Sequence, residues 1–146
     1  MQTYHTSSSL RTKSLGQKLA KQILREPNSK RAKLLSFVGD LGAGKTTFIQ
    51  GFLKAAGYKG RVTSPTFIFM RRHAIKNKYY KNVFHVDAYR VRNEKDFKSL
   101  GFEKELNNPQ NIFLVEWGGN IKTFLNGAKV IMFEHGKKEN ERSIKF

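Results

Sequence analysis

One stretch decides the fold of this chain: Gly39-Asp40-Leu41-Gly42-Ala43-Gly44-Lys45-Thr46. It matches the phosphate-loop pattern G-x-x-x-x-G-K-[ST] at every required position. Small residues let successive backbone N–H groups curl around a phosphate, and the helix that follows points its positive N-terminus at the same anion. In this pattern Lys45 reaches the β- and γ-phosphates and the Thr46 hydroxyl binds Mg²⁺. The stretch therefore predicts a nucleotide site; a glycine-rich turn that binds nothing is the alternative.

The flanking residues supply the setting that the pattern needs. The apolar run Lys33–Val38 before the loop is typical of a buried strand. After the loop, Thr46 to Ala56 has helical periodicity, with Phe48, Phe52 and Ala55 as its buried stripe. Strand, loop and helix in this order are the known context of a phosphate loop. We therefore expect an α/β fold organised around residues 39–46.

Length and composition limit the class of protein. The chain has 146 residues, 38% of them hydrophobic, which suits a single domain over residues 1–146 with one substantial core. No run of 18 apolar residues is present and no hydrophobic segment follows Met1, so we expect no membrane span and a cytoplasmic protein. The absence of cysteine excludes disulfides, Cys-based zinc sites and thiol catalysis.

The charge points to a polyanionic partner. Twenty-eight Lys and Arg against eleven Asp and Glu give a net charge of +17. Such an excess attracts nucleic acid through its phosphates and the counterions they release. The alternative is that the lysines form a solvated surface that reflects only a biased genome.

A basic segment at residues 71–81 is the first candidate for an RNA-facing patch. It has five basic side chains, two tyrosines and no acid, and it is expected to form a hairpin protruding between two strands. Its cations could meet phosphates, and its tyrosines, Tyr79 and Tyr80, could stack on bases. A solvated hairpin tip is the alternative interpretation.

Acidic residues end two of the predicted strands. Residues 83–90 begin as an alternating strand and reach Asp87, and the apolar run 112–115 ends at Glu116. Ligands of open α/β sheets collect at the carboxyl ends of the strands, so each carboxylate is a candidate for Mg²⁺ or for the attacking water. His85, on the same face of the strand as Asp87, is expected to be a packed, hydrogen-bonded histidine, with catalysis as the alternative. Arg90 could clamp a phosphate or pair with Asp87.

The remaining elements follow from shorter signals. An amphipathic helix is expected from Leu10 to Leu24 and a short one from Asn93 to Leu100. Further strands are expected at Lys129–Phe133 and Arg142–Phe146. Residues 62–67 form either a turn into a strand or a nucleotide-sensing switch.

Four stretches together resemble one family, the bacterial ATPase component of tRNA threonylcarbamoyladenosine biosynthesis, called TsaE and formerly YjeE. They are residues 39–47, Ser64-Pro65-Thr66-Phe67, His85-x-Asp87-x-Tyr89-Arg90 and Glu116-Trp117. Their order and separations match the family over nearly the whole chain. The family usually has another acid shortly after the Glu-Trp pair, where this chain has Gly118-Gly119.

The resemblance implies a single phosphate-loop NTPase domain with a mixed sheet between helices, and an ATPase that acts with the synthase subunits TsaB and TsaD and with tRNA. It implies Mg²⁺ at Thr46 and Glu116, a switch at residues 64–66, and Asp87 as the carboxylate needed for hydrolysis. With Lys45, Asp87 and Glu116 form the expected catalytic set. ATP or ADP is then expected to bind Thr12, Gly39, Asp40, Leu41, Gly42, Ala43, Gly44, Lys45, Thr46, Thr47, Ser64, Thr66 and Arg142.

Other functions remain open on the residues alone. A small phosphate-loop kinase would also need an acceptor pocket and an arginine-containing lid, and no lid segment is visible. A basic RNA-binding module with a regulatory nucleotide site would use the same charge. A GTPase is disfavoured because Asn77-Lys78 is followed by Tyr79-Tyr80 and not by the guanine-reading x-Asp.

Overall fold

The structure, a computed structural model, describes residues 1–28, 30–63, 65 and 69–146. Its strands are β1 Thr3–Thr6, β2 Lys33–Val38, β3 Met70–Ala74, β4 Asn82–Asp87, β5 Asn111–Glu116, β6 Lys129–His135 and β7 Arg142–Lys145. Its helices are α1 Ser9–Ile23, α2 Lys45–Ala55, α3 Glu94–Ser99 and α4 Glu103–Leu106, with a 3₁₀ helix at Gly118–Ile121.

All seven strands belong to one mixed sheet, in the order β1-β7-β6-β2-β5-β4-β3. The four central strands β6, β2, β5 and β4 run parallel, whereas β1, β7 and β3 pair antiparallel. Helices cover the sheet, which confirms the expected α/β fold with a mixed sheet. Because the four central strands are parallel, their carboxyl ends meet at one edge, where an open α/β sheet binds its ligands.

Alternation along the strands sends neighbouring side chains to opposite faces of the sheet. One core lies under α1 and α2 and includes Leu35 of β2 and Ile112 and Leu114 of β5. The other lies under α3, α4 and the 3₁₀ helix and includes Leu34 and Phe113 from the same strands. Both faces of β2 and β5 are therefore buried, which explains why these strands are continuous apolar runs.

Helices α1 and α2 cross at two glycines. A Cβ atom on Gly16 would lie 2.1 Å from the carbonyl oxygen of Phe48, and one on Gly51 would lie 2.0 Å from that of Lys13. Real Cβ atoms do not approach backbone atoms so closely, so each helix backbone packs directly against the other. The first residue of α2 is Lys45, so this contact also fixes the helix that begins at the phosphate loop.

The basic segment 71–81 forms the expected hairpin between two strands, because β3 and β4 pair antiparallel, but the turn of the hairpin does not protrude. Strand β3 continues to Ala74, and the turn that follows folds back onto the core. Asn77 fixes that turn, because its carboxamide oxygen accepts hydrogen bonds from the backbone N–H groups of Tyr79 and Tyr80 and its Nδ2 donates to the Leu24 carbonyl. Tyr80 is only 2% exposed and belongs to the core, so the prediction that it stacks on RNA is wrong.

Other differences are smaller. Strand β6 extends two residues beyond the predicted end, to His135. Ala55 is only partly buried, and Ile49 and Leu53 contribute to the buried face of α2 in its place. The short helix α4 was not predicted; it is a single turn, too short to show periodicity.

His73 of β3 is a buried titratable residue. Its ring lies edge-on to Tyr58 at a centroid distance of 4.3 Å, and the side chain is 4% exposed. Burial lowers the pKa of His73 from its ordinary value of 6.5 to about 4, and electrostatic interactions with His85 and Arg71 add to this shift. His73 is therefore neutral in the folded protein at neutral pH.

We expect His73 to make the protein lose stability on acidification between pH 6.5 and 4. In this window the unfolded chain binds a proton at His73 and the folded chain does not, so the free energy of unfolding falls as pH falls, by at most about 3 kcal/mol. Denaturant unfolding at pH 7 and 4.5 checks this. The drop should shrink in His73→Phe and persist in His5→Phe, which alters an exposed histidine; an equal drop in both variants would refute it.

Candidate functional site

The loop between β2 and α2 curls at the carboxyl edge of the sheet. It turns at Gly42 and Gly44, whose φ angles are +74° and +97°. Gly44 is also the N-cap of α2 and has no side chain to occupy the helix N-terminus. The free N–H groups of the first turn of α2 therefore face the space that the loop encloses.

Lys45 lies inside this loop. Its ammonium donates hydrogen bonds to the carbonyl oxygens of Gly39 at 2.7 Å and Asp40 at 2.8 Å, and lies 4.3 Å from the centre of the Trp117 ring. Burial lowers the pKa of Lys45, while the negative charges of Glu116, Asp40 and Asp87 oppose that shift. The cation is thus held by weak carbonyl and ring partners that an incoming phosphate can replace.

Thr46, Glu116 and His85 form a row of hydrogen bonds beside Lys45. The Thr46 hydroxyl donates to the Glu116 carboxylate at 3.1 and 3.3 Å, and His85 Nε2 lies 2.7 Å from Glu116 Oε1. Alternation explains the meeting, because Glu116 shares the α2 face of β5 with Leu114, and His85 shares that face of β4 with Val83. The expected packed, hydrogen-bonded histidine is confirmed, with Glu116 as its partner.

Asp87 ends the neighbouring strand directly opposite Glu116. The two residues are register partners in the parallel pair β4 and β5, and both are buried. One carboxylate oxygen of Asp87 accepts a hydrogen bond from the Tyr89 backbone N–H at 3.0 Å. Arg90 follows on the exposed surface; its two alternative roles remain predictions.

The oxygen donors of this cluster suit Mg²⁺. The ion prefers oxygen and is usually held by one or two carboxylates, with phosphates and water completing its shell. The Thr46 hydroxyl and the Glu116 carboxylate already lie within hydrogen-bonding distance of each other at the mouth of the loop. Within the described ranges there is no group of three or more His, Cys, Asp or Glu that could hold a metal by itself. The residues present therefore fit a nucleotide-bound Mg²⁺ better than an all-protein metal site.

Arg142 and His135 reach the loop from the other side. They are register partners of β6 and β7, at the edge where β6 ends. Arg142 donates hydrogen bonds to the carbonyl oxygens of Gly42 at 3.0 Å, Glu139 at 2.5 Å and Glu141 at 2.7 Å, and His135 Nε2 lies 3.3 Å from the Leu41 carbonyl oxygen. A cavity of about 550 Å³ opens beside Arg142, between the start of α1 and the β6–β7 turn.

The other expected ligand residues are distributed around the loop. Thr12 is buried, and its hydroxyl bonds the Thr6 hydroxyl and the Ser8 carbonyl oxygen. Its methyl group faces Gly44, which places it against the loop backbone. Thr47 is half-buried in the first turn of α2. Ala43, a residue of the loop itself, is fully buried. Ser64 and Thr66 lie outside the described residues.

Three contacts of the site were not predicted from the sequence: Trp117 over Lys45, His85 on Glu116 and His135 on the loop. Trp117 has a φ of +59°, a left-handed conformation uncommon for a tryptophan, and this turn carries its ring over Lys45 and against Tyr89. His135 ends a parallel strand, so the strand-end rule would have found it had the strand been extended to its true end.

The fold and loop define a protein of the P-loop NTPase type. The structure resembles the crystal structure of YdiB from Bacillus subtilis with a TM-score of 0.72 and 26% identity, over 98% of this chain and 82% of that one. The family model described as "Threonylcarbamoyl adenosine biosynthesis protein TsaE" matches residues 6–144. The chain therefore belongs to the TsaE family.

Curated relatives support the same family assignment. Proteins described as "tRNA threonylcarbamoyladenosine biosynthesis protein TsaE" are 32% identical in Haemophilus influenzae, 33% in Bacillus subtilis and 37% in Streptomyces coelicolor. The alignments cover 80%, 81% and 71% of this chain and 71%, 71% and 65% of the relatives, respectively. The family takes part in the biosynthesis of threonylcarbamoyladenosine in tRNA. In the part of the chain that the structure describes, no helix is both long and apolar enough to span a membrane.

Proposed function

We propose that this chain is a Mg²⁺-dependent ATPase subunit of the cytoplasmic machinery that attaches threonylcarbamoyl to adenosine 37 of tRNA. It binds ATP and its product ADP, acts together with the TsaB and TsaD subunits, and meets tRNA directly or through them. The observation that carries the proposal is the convergence of Lys45, Thr46 and Glu116 at the mouth of the loop.

In the proposed reaction the protein acts by positioning the phosphates and the attacking water. Transfer of a phosphoryl group to water needs its charge balanced and the water aligned, and needs no nucleophilic side chain. The loop N–H groups and Lys45 would hold the β- and γ-phosphates. Mg²⁺, held by Thr46 and Glu116, would supply further positive charge on the phosphate oxygens. Asp87, buried beside Glu116, would accept a hydrogen bond from the attacking water.

Slow turnover without partners is part of the proposal. An arginine finger contributes about 10³- to 10⁵-fold to phosphoryl transfer. Arg142, which contacts the loop, is already bonded to three backbone carbonyls, and these bonds hold it against the loop. A partner subunit that supplies a positive charge to the transition state, or that orders the site, would raise the rate of ATP hydrolysis.

Two conservative variants test the assigned roles. We expect Asp87→Asn to lower kcat about 10²-fold or more at unchanged ATP affinity, because the amide cannot orient water as the carboxylate does. Glu116→Gln should raise the Mg²⁺ concentration needed for half-maximal hydrolysis about tenfold or more. Both are measured as phosphate release with TsaB and TsaD present and absent.

Asp96→Asn is the matched control, since it makes the same chemical change on an exposed residue of α3. It should leave hydrolysis and its Mg²⁺ dependence unchanged. Hydrolysis at the normal rate in Asp87→Asn, or a normal Mg²⁺ dependence in Glu116→Gln, would remove the corresponding role. Transfer of the γ-phosphate to a metabolite, with no free phosphate released, would replace the ATPase by a kinase.

A further inference from the structure

Most of the net positive charge of this chain comes from two segments that contain no acid. Residues 1–25 contain five Lys or Arg and residues 41–86 contain nine, with no Asp or Glu in either range. These segments include α1, α2 and the chain that joins α2 to β4. Since α1 and α2 pack together on one face of the sheet, that face presents the cations of both helices, and Glu26, just beyond the end of α1, is an exposed carboxylate beside them.

The opposite face has a different character. Its helices α3 and α4 carry Glu94, Asp96, Glu103 and Glu105 among their lysines. Lys98 pairs with Glu103 there at 3.8 Å. Lys and Arg are spread evenly along the chain, with 14 of the 28 in these two segments, so a genome-wide preference for lysine accounts for their number but not for the absence of acids from the two segments.

A groove runs across the basic face. It has a volume of about 710 Å³ and lies between the first half of α1, the second half of α2 and residues 57–62. Four cations line it, Lys13, Lys54, Lys59 and Arg61. Among the residues that the structure describes, none with a carboxylate lines the groove.

The wall of the groove is built into the fold. Gln50 Nε2 donates to the Val62 carbonyl at 3.1 Å and the Tyr58 backbone N–H donates to the Leu53 carbonyl at 3.0 Å, which ties residues 57–62 to α2. Lys54, Lys59 and Arg61 remain exposed, and within the described ranges none of them forms an ion pair. Further along α1 and just beyond its end, the exposed Lys18, Lys21 and Arg25 continue the positive surface.

We propose that this groove binds the phosphate backbone of RNA, and of tRNA in particular. The inference rests on the proposed function only in its choice of tRNA as the RNA. Lys, Arg, Gln and Tyr are among the side chains that contact nucleic-acid phosphates, and all four line the groove. A protein partner is disfavoured because three of the four cations that line the groove are lysines, a residue type depleted at protein interfaces.

The groove is separate from the nucleotide site. Helix α2 begins at the phosphate loop and reaches the groove with its last turn, and its 11 residues span about 16 Å. RNA binding therefore needs neither ATP nor Lys45. The proposed ATPase function and the proposed RNA binding can therefore be tested, and refuted, independently of each other.

The test compares two triple variants that lose the same charge. The groove variant is Lys54→Gln, Lys59→Gln and Arg61→Gln, and the control is Lys95→Gln, Lys104→Gln and Lys122→Gln on the opposite face, where all three lysines are exposed. Affinity for a tRNA transcript is measured without ATP or partner subunits, from 50 to 200 mM salt. The groove variant should bind about tenfold more weakly, with a salt slope smaller by about three, and the control should change less than about twofold.

Three results would overturn the proposal: equal losses in both triple variants, no binding of tRNA by the unaltered protein at 50 mM salt, or displacement of tRNA by polyglutamate as effective as by RNA of equal charge. Circular dichroism and ATP hydrolysis, both expected to be unchanged in the groove variant, show that the fold is intact. Lys45→Ala should bind tRNA normally. Loss of tRNA binding in that variant would place the RNA at the nucleotide site.

Discussion

Lys45→Ala should reduce ATP hydrolysis about 10²- to 10³-fold, the usual effect of deleting one group that stabilises charge in the transition state. Lys45 is 4% exposed, and its ammonium lies among loop carbonyls and the Trp117 ring. In a site of low dielectric its attraction for the β- and γ-phosphates is large. Phosphate release and the affinity of a fluorescent ATP analogue measure the loss.

The fold should survive this substitution. Burial lowers the pKa of Lys45, which means that the folded protein bears a cost for keeping the ammonium charged in this place. Thermal unfolding followed by circular dichroism should therefore show a midpoint close to that of the unaltered protein. Lys54→Ala, which removes an exposed lysine from the same helix, should leave hydrolysis unchanged. Normal ATP affinity in Lys45→Ala would exclude the loop as the nucleotide site.

The core strands could be predicted because their signal is local. Strand β2 has the bounds expected from its apolar run, and β5 begins one residue before the predicted run and ends at Glu116. A strand that is buried on both faces is apolar along its whole length, so it can be recognised as a continuous apolar run in the sequence. The strand-end rule then placed Asp87 and Glu116 at one edge, and the structure brings both carboxylates to the mouth of the loop.

The contacts that complete the site could not be predicted because they depend on how distant elements pack. The ring of Trp117 over Lys45 depends on one left-handed residue, and no local pattern marks it. Tyr80 reads as a polar hairpin residue beside lysines, yet Asn77 turns the chain so that its ring enters the core. Local composition suggested a surface role, and the tertiary fold assigned a buried one.

Gly16 shows the same limit. Its close approach to the backbone of α2 is a contact between two helices, and the residues around it in the sequence do not indicate it. Helix propensity alone would favour alanine over glycine at positions 16 and 51 by about 1 kcal/mol. Both positions therefore carry glycine against helix propensity, and the close crossing of α1 and α2 supplies the reason.

Gly51→Ala should destabilise the protein by about 3 kcal/mol or more. The new Cβ would lie 2.0 Å from the Lys13 carbonyl oxygen and 2.7 Å from its carbon, and backbone atoms cannot move aside as a side chain does. The helices would have to separate, which loosens the core around Phe48 and Phe52. Denaturant unfolding measures the loss. Gln22→Ala, at an exposed position of α1, is the control and should change stability little.

The double variant Gly16→Ala with Gly51→Ala distinguishes helix separation from two local clashes. The clash at Gly16 is with the Phe48 carbonyl, so both new methyl groups push the same pair of helices apart. Once the first has separated them, the second meets less resistance. The combined loss of stability should therefore be smaller than the sum of the single losses by about 1 kcal/mol or more. Additive losses would mean that each glycine is accommodated by its own local shift and that α1 and α2 do not move as rigid bodies.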